Sequence, residues 1–411
     1  MGICIALATK GAYDWWAQIV VGMVLAAAVL VLPRAPWVGR ADLPVLFTAA
    51  GFAGWALIDG FHSGRPAEGG KYALIVTASV ALACVCRSLG ASAKAGLTTW
   101  LLLAAGVVAA LGWFGVVAHH PTLGFESPGL WRASSTLTYP NATAAVLAMC
   151  ALTAIGVRVR RPDSRWLDVM ITVLLTGMVA TLSRAGVAGF AAGAVVLAAV
   201  IGWRPVLRAA AAPMAGAVVA VGGLLPSITV DDPTTLTVTA AAAGVLAGAA
   251  IAWWSRLAWL VPVAVAGALV AGLPLTAFSE RFSVESPDRW AAIRAAWQVF
   301  LDHPAMGAGP GLDRLTAVRG DGIAVFRYAH NEYVQVLAEL GVVGGVLLAA
   351  FLIAVFLRAG GAAAPVLAAL AVHAGFDFVW HIPVIPLLAA VLVATTTDFL
   401  STDRGTEWKR T

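Results

Sequence analysis

Of 411 residues, 61% are hydrophobic and only 11% are charged, whereas a soluble globular domain is about a quarter charged. No water-soluble core of this length hides that much apolar surface, so the composition points to a membrane protein. The net charge of +5 is scattered among loops and gives no nucleic-acid signal, and the four cysteines (Cys4, Cys84, Cys86, Cys150) are too sparse for a disulfide framework.

Runs of about 17–22 apolar residues are long enough to cross a hydrocarbon core of about 30 Å. About 13 such runs follow one another, near 15–33, 43–59, 72–86, 97–118, 139–157, 166–182, 185–201, 207–225, 236–253, 257–276, 333–357, 362–380 and 383–399. The first, Trp15 to Leu32, is long for a signal-peptide core and lacks a basic cluster and a cleavage site, so it reads as a retained helix. The predicted fold is an all-α polytopic transmembrane bundle of about 12–13 spans. It divides into N-terminal spans (1–130), central spans (131–276), an external loop with an interfacial helix (277–332), and C-terminal spans with a cytoplasmic tail (333–411).

Orientation follows from the basic loops. Arg158, Arg160, Arg161 and Arg165 crowd one short loop, which should be cytoplasmic. Alternating from there places Arg34 and Arg40, Arg87 and Lys94, Arg204 and Arg208, Arg256, Arg358 and the tail on the same side. Asp231-Asp232 then falls outside, in a short loop without cations, where it reads as solvated.

Two sizeable loops remain outside, about 119–138 and 277–332. Long connections in compact proteins are usually functional or disordered. The second holds a helix signal: Ser286 caps, Pro287 suits the first position, and Trp290, Ile293, Trp297 and Leu301 form one stripe. Such a helix lies in the membrane interface, either as part of a site or as a plain surface brace.

Sorting cations by side exposes an anomaly. Arg132, Arg184, Arg281, Arg289, Arg294, Arg314, Arg319 and Arg327 all fall outside, where positive-inside bias should deplete them, and none of this set is lysine. The planar guanidinium fork binds phosphate bidentately. The plainer reading pairs many of them with Glu280, Glu285, Asp288, Asp302, Asp313 and Asp321 in the same loop. Arg184 stands apart, in the tight outer turn Thr181-Leu182-Ser183-Arg184-Ala185-Gly186, with no carboxylate near it in sequence.

His330-Asn331 is followed by Gly341-Val342-Val343-Gly344. If residues 331–357 form one helix, it runs about 40 Å, Gly341 lies about 20° from His330, and Gly344 about 40° to the other side. Small residues at that spacing admit a neighbouring helix, which would set His330 at the mouth of the bundle above a tight seam. A neutral imidazole there can act as general base, although a lone histidine at a helix start is more often a structural or capping residue. His373 and Asp377 are four apart and would touch on one helix, as a structural hydrogen bond near the site. His119-His120 reads as a loop pair, since no Cys or acidic partner has ligand spacing.

Several segments, in order, resemble the O-antigen ligase and O-antigen polymerase family. His330-Asn331 followed by Gly341 and Gly344 resembles the family hallmark. Arg132 through Tyr139-Pro140-Asn141, Ser183-Arg184, Arg289 with Arg294, Trp297, His303-Pro304 and Gly307-x-Gly309-Pro310-Gly311, and His373 to Asp377 with His381-Ile382-Pro383 resemble its other segments. The likeness covers roughly residues 130–395.

The resemblance implies transfer of a glycan from a polyprenyl-diphosphate carrier to a sugar hydroxyl of a glycan or lipid-glycan acceptor. The reaction would occur at the outer face of the cytoplasmic membrane without metal or cofactor. By position, His330 is then the base; Arg184 and Arg289 bind the diphosphate, with Arg294 and Arg132 at less distinctive positions. Asn331, Gly341, Gly344, His373 and Asp377 support them. Family members usually show about 12 spans, one fewer than the runs found here. The chemistry is coherent: a hydroxyl nucleophile needs a base, and a diphosphate leaving group needs charge stabilisation but no second acid. The rivals are a polymerase of the same family, a secondary transporter using His373, Asp377 and the outer arginines, and an envelope scaffold. The transporter reading lacks an internal repeat.

Overall fold

A computed structural model describes residues 2–14, 16–23, 39–127, 129–254, 287–312, 314–319 and 322–396. The expected 257–276 span, most of the 15–33 span, Arg34, Arg256, Glu280, Arg281, Glu285, Ser286, Asp313, Asp321 and the tail lie outside the described residues.

The chain forms an all-α polytopic bundle. In order, the helices are α1 (Gly2–Ala8), α2 (Leu43–His62), α3 (Pro66–Ser88), α4 (Ala91–Val117), α5 (Pro140–Arg160), α6 (Arg165–Ala180), α7 (Arg184–Ile201), α8 (Trp203–Thr229), α9 (Thr235–Trp253), α10 (Pro287–Asp302), α11 (Glu332–Ala374) and α12 (Val384–Thr396). Among the described residues, eight helical segments are long and apolar enough to cross a membrane. The runs expected at 166–182 and 383–399 are the shorter helices α6, of 16 residues, and α12, of 13 residues. Prolines open α3 and α5, where a missing N–H costs nothing.

Two small antiparallel hairpins, absent from the sequence expectation, occupy the long connections. β1 (Gly124–Ser127) pairs with β2 (Leu130–Ala133), and β3 (Leu315–Arg319) with β4 (Gly322–Phe326). The helix expected in the long 277–332 connection forms as α10. Ala291, Ala292, Ala295 and Ala296 on α10 are buried against the protein, while Trp290, Trp297 and Leu301 are exposed. An outward tryptophan stripe on a docked helix suits the interface plane.

α11 corrects the expectation of one straight helix from 331 to 357. It breaks at Gly341 (φ 64°) and again at Gly360 (φ 68°), so the span expected at 333–357 and most of that at 362–380 fall within one interrupted element. Its two ends meet: Asn331 Nδ2 donates to the Gly375 carbonyl at 2.9 Å, and Tyr333 Oη to that of Ala371 at 2.8 Å. At the far end of this hairpin, Arg358 Nε bonds Asp42 at 2.6 Å, and Arg87 bonds the same carboxylate. Arg158 grips the buried Asp168 with two bonds, at 2.6 and 3.1 Å. Arg87, Arg158 and Arg358, which the loop count assigns to one side, thus share the end of the bundle opposite His330.

The core centres on α5. Every residue from Pro140 to Ile155 is buried, and most are small, so neighbouring helices pack closely around it. This rigid centre begins at the histidine end and carries Asn141 into the site.

Candidate active site

Three segments reach the histidine end through a left-handed residue that is not glycine: Thr138 (φ 55°), Leu182 (φ 50°) and His330 (φ 52°). Each such residue costs on the order of 1–3 kcal/mol and marks a place where the surroundings dictate the backbone. A fixed helix start follows each one. Pro140 opens α5, and Ser183 Oγ accepts from the Gly186 amide at 3.1 Å to cap α7. Asn331 Oδ1 accepts from the Tyr333 and Val334 amides, both at 3.1 Å, to cap α11.

Asp377 is the point where these segments converge. Its carboxylate is fully buried. It accepts from Tyr139 Oη at 2.7 and 2.8 Å, from Asn141 Nδ2, from the Phe378 amide at 2.9 Å and from His330 Nδ1 at 3.1 Å. Burial alone would raise its pKa; the His330 ring, the charge of Arg289 and the Tyr139 hydroxyl outweigh that and hold it at about 2. Tyr139 is pushed well above the ordinary phenol range by burial and by this carboxylate, so it stays a neutral donor.

An ionised carboxylate only accepts, so His330 Nδ1 is the donor in this bond, and in the neutral imidazole Nε2 is left with the lone pair. The imidazole keeps 28% of its side chain exposed while Asp377 fixes its tautomer and angle, an arrangement in which Nε2 can act as a base. The arrangement is that of a histidine held by a buried aspartate.

Charge for an anionic group stands beside this dyad. Arg289, on the first turn of α10, lies within electrostatic range of Asp377, Tyr139, His373 and Arg184. Two guanidinium groups within electrostatic range of each other suit a polyanionic ligand. Arg184 is placed by the tight packing of α7. A Cβ on Gly189 would lie 2.7 Å from the Ala369 carbonyl oxygen and 3.4 Å from His373 Cβ, and one on Gly193 2.6 Å from the Pro365 carbonyl oxygen. Here, not at Gly341 and Gly344, is the small-residue seam between helices.

Other expected residues take different places. Gly341 is a break whose absent Cβ makes room for the 304–309 loop: a Cβ there would sit 2.2 Å from the Ala305 carbonyl oxygen. Val342 N bonds the Pro304 carbonyl at 2.8 Å, closing that contact. A Cβ on Gly344 would meet only Leu340 of its own element. The expected His373–Asp377 pair on one helix does not form, because α11 ends at Ala374 and Asp377 turns back to His330. His373 remains buried beside α7. Arg132 is buried, with Nε on the Thr181 carbonyl at 2.9 Å and Nη2 on Asn141 Oδ1 at 3.1 Å, so it braces Asn141. Arg294 is exposed and about 140° round α10 from Arg289, which separates it from the cluster.

Two groups carry more than sequence reasoning assigned. Tyr139 and Asn141 sat in a motif without a role of their own. The carboxylates Glu332 and Glu339, both fully buried, form a second network. Glu339 accepts from Tyr72 Oη at 2.9 Å, the Gly311 amide at 2.9 Å and the Leu312 amide at 3.1 Å. Glu332 Oε2 approaches His381 Nδ1 at 2.9 Å, an ion-pair contact rather than a well-directed hydrogen bond. Their signal was the charge itself inside an apolar helix.

Residues 169–349 match the family model described as O-antigen ligase. The chain carries an O-antigen ligase domain. The match supports the family resemblance drawn from the motifs and, at family level, a membrane glycosyltransferase-like ligase, a transferase enzyme. No curated protein matches the chain. The matched stretch of the O-antigen ligase domain contains Arg184, Arg289 and His330; Asp377, Tyr139 and Asn141 reach the site from outside it.

Proposed function

We propose that the protein transfers a glycan from a polyprenyl-diphosphate carrier to a sugar hydroxyl, at the outer face of the cytoplasmic membrane. The observation that carries this reading is the His330–Asp377 bond beside Arg289 and Arg184: a base and a diphosphate cradle at one end of a membrane bundle. The basic loops lie at the opposite end, which by the positive-inside bias is the cytoplasmic one.

In this reading the acceptor hydroxyl gives its proton to His330 Nε2 as its oxygen attacks the anomeric carbon. The bond from that carbon to the diphosphate oxygen breaks, and the polyprenyl diphosphate leaves. Arg184 and Arg289 stabilise the charge gathering on the departing oxygen. Asp377 orients the imidazole and stabilises the imidazolium that forms, while Tyr139 and Asn141 hold Asp377 and Arg132 holds Asn141. General-base assistance of this kind contributes about 10²–10⁴ in rate.

The direct test is deletion of the gene followed by analysis of membrane lipids. Accumulation of one polyprenyl-diphosphate-linked glycan, reversed by the native protein and not by an Arg289→Ala variant, is the expected result. Unchanged lipid-linked glycans would overturn the reading.

A further inference from the structure

α11 opens with three polar side chains on one buried face. Glu332, Gln335 and Glu339 lie within about 60° of one another round the helix, and none is more than 1% exposed. Ionisable groups inside an apolar bundle are costly and are functional candidates by default. Yet none of the three bonds the His330 ring or the Asp377 carboxylate. Nor does any of them line the cavity of about 410 Å³ that one face of α3 borders. Their bonds run instead to the backbone on either side of the dyad.

Gln335 holds the histidine side. Its Oε1 accepts from the Ala329 amide at 2.7 Å, and Ala329 is fully buried directly before His330. That bond and the Asn331 cap grip the chain on both sides of His330, whose left-handed backbone (φ 52°) has to be imposed by its surroundings. Glu339 decides which end of the Gln335 amide faces Ala329. Its carboxylate accepts four donors: Gln335 Nε2 at 2.5 Å, Tyr72 Oη and the Gly311 amide at 2.9 Å, and the Leu312 amide at 3.1 Å. That is about the full capacity of an ionised carboxylate, which cannot donate. Gln335 must therefore turn its amide nitrogen to Glu339 and its oxygen to Ala329.

Glu332 holds the aspartate side. Its Oε1 accepts from the Trp380 amide, and from the His381 amide at 3.3 Å. Both amides belong to the short turn Val379–His381, which follows Asp377 and Phe378. We propose that Gln335 and Glu332 are the positioning residues of the dyad: one fixes the backbone of His330, the other the turn that carries Asp377. Both contacts start from the same first turns of α11, so the two halves of the dyad are set against one rigid element and the Nδ1–Oδ1 approach follows. The effect on turnover rests on the transferase reading above; the geometry does not.

The test reads the histidine tautomer directly, on the full-length protein in phosphatidylethanolamine–phosphatidylglycerol vesicles without substrate. Ring nitrogens of isotope-labelled histidine are followed by solid-state NMR at a pH where the ring is neutral, and the His330→Gln spectrum identifies the signal. The native ring should hold its proton on Nδ1 alone. Gln335→Met and Glu332→Leu, which remove the two acceptors, should each release the ring into a mixture of tautomers. They should also lower turnover about 10–100-fold at unchanged donor affinity, the size of effect typical of groups that orient a histidine ligand. Glu332→Gln keeps an oxygen for the Trp380 and His381 amides and should return the single tautomer. Melting temperatures that fall while the folded variants keep the native tautomer would make both residues merely structural and overturn the proposal. A mixture in Glu332→Gln equal to that in Glu332→Leu would overturn the backbone role of Glu332. If one acceptor-deleting variant fails to fold, the other decides. A mixed tautomer in variants of a protein that transfers no glycan would remove the transferase reading and leave this one standing.

Discussion

His330 Nδ1 lies 3.1 Å from Asp377 Oδ1, although the two residues are 47 apart in the chain. The hairpin of α11 brings them together, and among the described residues no arginine or lysine is hydrogen-bonded to the buried carboxylate. Asp377→Asn tests what that contact does. The amide keeps the shape but removes the charge and disturbs the tautomer, so turnover should fall about 10²–10⁴-fold with little change in donor affinity. Equal losses in turnover and donor binding would point to a collapsed site instead.

The arginine pair should behave differently from the arginines at the other end. Arg184→Ala and Arg289→Ala should each abolish transfer and weaken donor binding, and lysine should rescue poorly because it lacks the planar fork. Arg160→Ala, at an exposed position, is the neutral control. Arg158→Ala is not neutral: it leaves the buried Asp168 with only the longer, more exposed Arg165 contact at 3.9 Å, a change that costs less than the about 3–5 kcal/mol of a fully broken buried pair. A lower melting temperature with normal activity per folded molecule is the expected outcome there.

Two titrations bracket the stable pH range. Asp377 has a depressed pKa of about 2, so its contribution is present above the unfolded aspartate value of about 3.9 and is lost as pH falls through the folded value. His381 is raised, chiefly by Glu332 against its burial. Its contribution is full below the unfolded histidine value of about 6.5 and is lost as pH rises through the folded one. Melting curves of the purified protein should therefore weaken on the alkaline side. His381→Gln should flatten that limb, and an unaltered limb would exclude His381 as its cause.

Gly341→Ala probes the break in α11. The left-handed φ of 64° and the approach to the Ala305 carbonyl leave no space for a methyl group. Strain of about 1–3 kcal/mol, plus the displaced 304–309 loop, should lower both the melting temperature and the activity. Native values for both would show that the loop yields without cost.

The bundle, the helix in the long loop and the grouping of Arg87, Arg158 and Arg358 at one end were legible because each rests on local composition: apolar length, a periodic stripe, a cation count. Arg184 stands out in the sequence as a charge at the lip of the bundle, and His330 and Arg289 through the motif resemblance; the fold groups the three at one end. Asp377 was read as a partner of His373, four residues away, because spacing along one helix cannot register where that helix stops. Gly341 was read as a seam for the same reason; its left-handed backbone depends on the 304–309 loop, which is remote in sequence. The cavity along α3 was invisible, since an apolar stripe facing a void has the same pattern as one facing a neighbour.

His330→Gln addresses the central claim most directly, because glutamine keeps size and hydrogen bonding but is not basic. Transfer and donor binding would be measured side by side on the reconstituted variant at normal expression and insertion. The account predicts unchanged donor binding with turnover lowered about 10²–10⁴-fold. Near-native turnover in the glutamine variant would contradict it and leave His330 a positional residue only.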